Sequence, residues 1–162
     1  MNTKQFKQQL LDELYAPLTA CTTCPLGFLG RKRVVFGSGN PDSSLLFIGE
    51  GPGKDEDLQG IPFVGRSGKL LNKIFEIVGF TRDDVYITNI VKCRPPENRK
   101  PFPVESFQCK KLLLNHQINI IQPKIICTLG SAAIQGLFDD QAIQISKIRG
   151  QAISFKNHAI VP

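Results

Sequence analysis

Three short apolar runs, each emptying into a loop of glycines or prolines and each followed by helical spacing, limit this chain to few folds. The runs are LLFIG (Leu45–Gly49), VYITNIV (Val85–Val91) and KIICTLG (Lys124–Gly130). Each has strand length and is too apolar for a strand with one wet face. A helix is expected over Ser67–Val78, with Ser67 as its cap, Leu70, Leu71, Ile74, Phe75 and Val78 as its stripe and Gly79 as its stop. Another runs from about Val104 to Ile121 and ends before Pro123. A first helix fits residues 3–15, with Phe6, Leu10, Leu11 and Leu14 on one face, a short helix fits SAAIQGLF, and HAIVP (His158–Pro162) reads as a last strand. Strands alternating with helices of this length form βαβ units, so the expected class is α/β, a parallel sheet covered on both faces. A chain of 162 residues is expected to form one domain, residues 1–162.

Right-handed crossovers bring the carboxyl ends of parallel strands to one edge, where open α/β sheets bind ligands. Three loops meet there: GEGPG after the first strand, NIVKCRPP after the second and LGS after the third. The first belongs to GEGPGKDEDLQGIPFVGRSG, which holds six glycines and two prolines in twenty residues. It is neither a P-loop nor a dinucleotide fingerprint, since both spacings are missing and Pro52 lacks a backbone donor. Its glycines let a ligand press on the backbone, and Glu50 sits at the strand end. Phe63 is either a satellite-core residue or a platform on which a flat ring stacks. Asn89, in an otherwise apolar strand, either bonds neighbouring backbone or reads a base. Its carboxamide offers a donor beside an acceptor, the complement of uracil O4 and N3–H.

No apolar stretch approaches the roughly 20 residues of a spanning helix, and the N-terminus lacks the apolar core of a signal peptide. A soluble cytoplasmic protein is expected. In that compartment the five cysteines favour metal over disulfides. Cys21 and Cys24 form a CxxC pair, while Cys93 and Cys109 come singly, which disfavours a zinc ribbon. Four thiolates from three segments suit a closed four-cysteine site holding iron–sulfur or zinc. Cys127, in mid-strand, reads as an apolar core residue, and His116 and His158 read as structural or surface residues. The net charge of +6 is concentrated in GRKR (Gly30–Arg33) and KCRPPENRK (Lys92–Lys100), which permits contact with a polyanion.

Taken together, CTTCPL, VVFGSGNP, GEGPGKDEDLQGIPFVGRSGKLLN, YITNIVKCRPPENRKP, Cys109 and IICTLGSAA closely resemble the family 4 uracil-DNA glycosylases, the iron–sulfur members of the uracil-glycosylase superfamily. The resemblance runs from about Cys21 to Pro162. It implies a three-layer α/β/α sandwich around a four-stranded parallel sheet and a structural [4Fe–4S] cluster on Cys21, Cys24, Cys93 and Cys109. It implies hydrolysis of the N-glycosidic bond of deoxyuridine in DNA, leaving an abasic site. Glu50 and Gly51 fall in the family's first motif, Phe63 matches the aromatic that stacks on the flipped uracil and Asn89 matches the uracil reader. Glu56 matches a motif acid. Relatives with a GQDPY-type motif position the attacking water with an aspartate whose place is Gly51 here, so the group that does so in this chain is left open. The catalytic residues implied are Glu50, Gly51 and Asn89; the uracil-binding residues are the same three with Phe63.

The family's second motif, a histidine followed by proline, belongs after the fourth strand, about where this sequence stops, and His158 lies upstream of it. The expectation from the sequence is a C-terminally incomplete domain with weak or no activity. DNA is the expected partner, bound by a monomer without a membrane, through Arg31, Lys32, Arg33, Lys92, Arg94, Arg99 and Lys100. Two other readings stand beside it: a non-catalytic iron–sulfur DNA-binding module, phage- or polymerase-associated, and a zinc-stabilised α/β domain that binds a nucleotide.

Overall fold

The alternation of side chains along LLFIG explains the layers. In the computed structural model, which describes residues 2–162, strand β2 (Leu45–Gly49) turns Leu46 and Ile48 to one face and Leu45 and Phe47 to the other. Because successive strand residues point to opposite faces, an all-apolar strand demands cover on both.

On one face Leu46 and Ile48 pack with Leu11 of helix α1 (Thr3–Tyr15), with Leu113, Leu114, Ile118 and Ile121, and with Ile134 and Leu137 of α6 (Ser131–Phe138). The other face is covered by α3 (Arg66–Val78), whose Leu71 and Phe75 meet Ile87, Leu45 and Phe47. The result is the expected three-layer α/β/α sandwich.

The sheet order is β1-β3-β2-β4-β6-β5. The inner four strands, β3 (Tyr86–Asn89), β2, β4 (Ile125–Thr128) and β6 (His158–Val161), are parallel, as expected. Two short strands extend the sheet to six: β1 (Ser38–Gly39) and β5 (Ile153–Phe155) pair antiparallel at its edges. The sequence reading lacks both. Two or three residues carry no usable periodicity, and each strand exists because a neighbouring edge supplies its hydrogen bonds.

Other elements also depart from expectation. The glycine loop contains a helical turn, α2 (Lys54–Gln59), closed by Gly60 at φ 76°. Gly65, not Ser67, caps α3. The α3 stripe is narrower than its apolar spacing: Leu70, Ile74 and Val78 are exposed, and Gly68, Leu71 and Phe75 face inward. The long helix is three pieces, α4 (Pro103–Cys109), a π turn (Lys110–Leu114) and α5 (Asn115–Ile121). The π turn lets buried Lys110 donate to the Leu137 carbonyl at 3.1 Å and to Asp139. A last short helix, α7 (Ile145–Ile148), precedes β5.

Candidate active site and sulfur cavity

Two backbone bonds continue the pairing of β2 with β3 past the strand ends: Ile90 N–H donates to the Gly49 carbonyl at 2.9 Å and Val91 N–H to that of Glu50 at 3.2 Å. They draw the glycine loop and the proline loop together over a cleft of about 420 Å³. Glu50, Gly51, Phe63 and Asn89 all line it, with Glu56, Ser67, Arg99 and Leu129.

The approach of these groups is visible at Gly49. A Cβ there would stand 2.5 Å from Asn89 Oδ1 and 2.5 Å from Phe63 Cζ. The amide and the ring therefore converge over one glycine, and any side chain at 49 would push them apart. Gly51 is held similarly, since a Cβ would meet Val91 Cγ2 at 2.7 Å. Phe63 takes a left-handed backbone, φ 55°, unusual for a residue with a side chain. Three constraints hold it there. Gly68 lies so close that a Cβ would sit 1.9 Å from the Phe63 carbonyl oxygen. Arg82 donates to the Phe63 carbonyl at 3.0 Å and to that of Pro62 at 2.6 Å, and its remaining bonds go to Asn72 Oδ1 and Ser38 Oγ. Glu56 supplies the third.

Glu56 fastens the two ends of the loop. Its Oε2 accepts from Gly53 N–H at 3.1 Å, and its Oε1 accepts from Val64 N–H at 3.0 Å and Gly65 N–H at 2.8 Å. A Cβ at 53 would press on Glu56 Oε2 at 2.7 Å, so glycine leaves room for this carboxylate. Glu56→Ala leaves these amides without acceptors where Glu56 is only 8% exposed. We expect a loss of about 3–4 kcal/mol, from charge-assisted bonds of roughly 1.5–3 kcal/mol each that are partly replaced by water. Thermal unfolding and protease cleavage within residues 54–65 measure it.

Asn89 is 2% exposed at the end of β3, and its bonds to the protein run through the backbone. Glu50 stands half-buried at the cleft; burial pushes its carboxyl up, and Lys100 pulls it back in part.

Behind β3, Cys21, Cys24, Cys93 and Cys109 border a second cavity with Lys92, Val34, Leu112 and Leu113. Burial raises the Cys24 thiol, pushes Cys93 up to about 12 and Cys109 up to about 11. Among the described residues no three His, Cys, Asp or Glu side chains group as ligands of a single ion. The four sulfurs border a void in apolar surroundings, and an all-thiol donor set is that of soft and polynuclear centres. The residues fit such a group. Cys127 lies in β4, half-buried and outside this lining.

The basic residues divide. Lys32, Arg33 and Lys100 are exposed, and Arg94 is partly so, with its Nε on Asn98 Oδ1. Lys92 is a correction: it is 1% exposed and donates inward, so it is not a surface contact for DNA. Arg31 is spent on the cysteine loop, donating to the carbonyls of Cys21, Thr19 and Gly27. Arg99 is bonded bidentately to buried Glu105 and lies over the Phe102 ring. His116 is exposed, and His158 Nδ1 lies 2.6 Å from the Pro123 carbonyl. The sequence reading missed Arg82 and Asp57, whose Oδ1 accepts from Lys32 and Arg33 N–H. Neither has a local signal, since each acts on backbone 19 or more residues away.

Among the described residues no helix is long and apolar enough to cross a membrane. Residues 36–162 match the uracil DNA glycosylase superfamily. The chain is 45% identical over 149 residues to the type-4 uracil-DNA glycosylase of Thermotoga maritima, covering 92% of this chain and 77% of that protein. It is 42% identical over 144 residues to the protein of that name from Archaeoglobus fulgidus, with 87% and 71% covered. A DNA polymerase of Bacillus phage SP01 is 31% identical over 127 residues, which are 78% of this chain and 13% of the polymerase. Similarity this broad spans both the loops around the cleft and the cysteine segments, and on it the chain belongs to the type-4 uracil-DNA glycosylases of the uracil DNA glycosylase superfamily.

Proposed function

We propose that this chain, as a single domain, removes uracil from DNA by hydrolysing its N-glycosidic bond. The observation that carries this reading is the convergence of the Asn89 carboxamide and the Phe63 ring over Gly49, at the carboxyl edge of the sheet.

A base inside a duplex is out of reach, so the nucleotide turns out of the stack, at a cost of a few kcal/mol. Phe63 covers one face of the extruded ring, held at its angle by Arg82, Gly68 and Glu56. Asn89 donates from Nδ2 to uracil O4 and accepts N3–H at Oδ1. Cytosine presents the reverse pattern, which mispairs with a carboxamide whose Oδ1 lies over Gly49, as it does here. Water adds to the sugar C1′ as the bond to the base breaks, the bond's electron pair leaves with the uracil, and the proton that the water sheds ends on uracil N1. Charge growing on the leaving ring meets the buried Nδ2–H dipole of Asn89. Glu50 and Gly51 form the lip on the sugar side. Lys32, Arg33, Arg94 and Lys100 hold phosphates, so affinity falls with salt.

Cys21, Cys24, Cys93 and Cys109 would hold the [4Fe–4S] cluster. When bound, it supplies a cross-link between three chain segments and no step of hydrolysis.

The test is a single-turnover assay on single strands that carry one uracil or one cytosine. Release of free uracil, with none of cytosine, is expected. No release, together with equal affinity for the two strands, overturns the reading. Phe63→Ala removes a stack of roughly 1–3 kcal/mol, which weakens apparent affinity for the uracil strand about 5- to 150-fold and leaves that for an abasic strand unchanged.

A further inference from the structure

Lys92 has no part in the scheme above, yet it is among the most buried side chains of the chain. Among the described residues it makes no ion pair. Its Nζ donates to Thr88 Oγ1 at 2.5 Å and to the Asn89 carbonyl at 2.7 Å. Thr88 Oγ1 donates onward to the Phe36 carbonyl at 2.7 Å, which also accepts from Gln117 Nε2 at 3.0 Å. The same lysine lines the sulfur cavity with all four cysteines. Its carbonyl accepts from Val35 N–H at 2.7 Å. One residue thus touches the sulfur cavity on one side and the strand end that carries Asn89 on the other.

A buried ammonium without a counter-charge is costly, and an apolar side chain of equal length would fill this space without that cost. The groups beside it that can turn negative are the thiols of Cys93 and Cys109, which lose their protons on ligation. Resting on the assignments of Asn89 as base reader and of the cysteines as ligands, we propose that Lys92 is a positioning residue that couples the sulfur cavity to the cleft. Its Nζ fixes the Asn89 carbonyl, and with it the angle at which the Asn89 carboxamide enters the cleft, while in the iron-loaded protein its charge would balance the thiolates.

The test uses iron-loaded protein, wild type against Lys92→Met and Lys92→Arg. Two quantities are read: the rate of iron loss to a chelator without DNA, followed by visible absorbance, and the ratio of affinities for uracil and cytosine strands. Lys92→Met is expected to speed iron loss and to lower the uracil preference, each about tenfold, the lower range for losing a group that orients metal ligands. Lys92→Arg keeps the charge, but its planar fork does not fit both acceptors. It is expected to hold iron at the wild-type rate and still lose uracil preference, a split that mere loss of stability does not produce. A Met variant with wild-type iron retention and full preference overturns the proposal. If the Met variant does not fold, full preference in the Arg variant overturns it. A wild-type protein with no uracil preference sinks the proposed function instead, and iron loss then decides the charge-balancing half alone.

Discussion

Asn89→Ala lowers kcat/KM for uracil release about 10²–10³-fold, the loss that follows removal of one preorganised donor from a hydrolase site. The size of the effect comes from burial. The carboxamide is 2% exposed at a strand end, so a ring bonded to it has exchanged water for a fixed partner. The same substitution leaves the fold nearly intact. Asn89 is bound to the protein by its backbone, which pairs with Gly49 and accepts the Lys92 ammonium. Stability is therefore expected to change by no more than about 1 kcal/mol. Thermal unfolding and single-turnover release, measured on the same preparation, separate the two. A large fall in the melting temperature would show that the amide holds the sheet together and is no reader. Unchanged kcat/KM at an unchanged melting temperature would remove Asn89 from the site.

Cys93→Ala or Cys109→Ala is expected to release the iron and lower the melting temperature by about 8–16 °C, whereas Cys127→Ala does neither. The cluster would join an irregular N-terminal segment to β3 and to α4. A cross-link that closes a loop as long as the one from Cys24 to Cys93 removes roughly 4 kcal/mol of entropy from the unfolded chain, and 1 kcal/mol moves a domain of this size by about 2–4 °C. The N-terminal segment has reason to depend on it. Between α1 and β1 lie only two short 3₁₀ turns, with Leu18 and Leu26 buried, and Arg31 holds the loop by its carbonyls. Iron content, absorbance near 400 nm and calorimetry check the prediction. Iron retained in Cys109→Ala would exclude that residue as a ligand.

Much of the fold is legible in the sequence. The four inner strands, the α3 and α6 helices and the convergence of loops at one edge follow from period, propensity and the handedness of crossovers. Glu50, Phe63 and Asn89 stood out because each is the wrong residue for its local setting: an acid at a strand end, an aromatic between glycines, an amide in an apolar strand. That mismatch is a property of neighbours in sequence.

The basic residues show the limit. Arg31, Lys92 and Arg99 look in the sequence like Lys32, Arg33 and Lys100, yet the first three donate into the protein. Which one turns inward depends on acceptors that the fold brings near: the Cys21 carbonyl for Arg31, Glu105 for Arg99, the end of β3 for Lys92. Arg82 was silent for the same reason, because its acceptors at Pro62 and Phe63 are about twenty residues away. The sequence by itself determined the inner strands and helices, the edge of the sheet at which the loops converge, and the residues that break local pattern there. Only the tertiary structure decided the edge strands, the fate of each cation and the meeting of Asn89 with Phe63 over Gly49, because those rest on hydrogen bonds and contacts between distant segments, which periodicity does not encode.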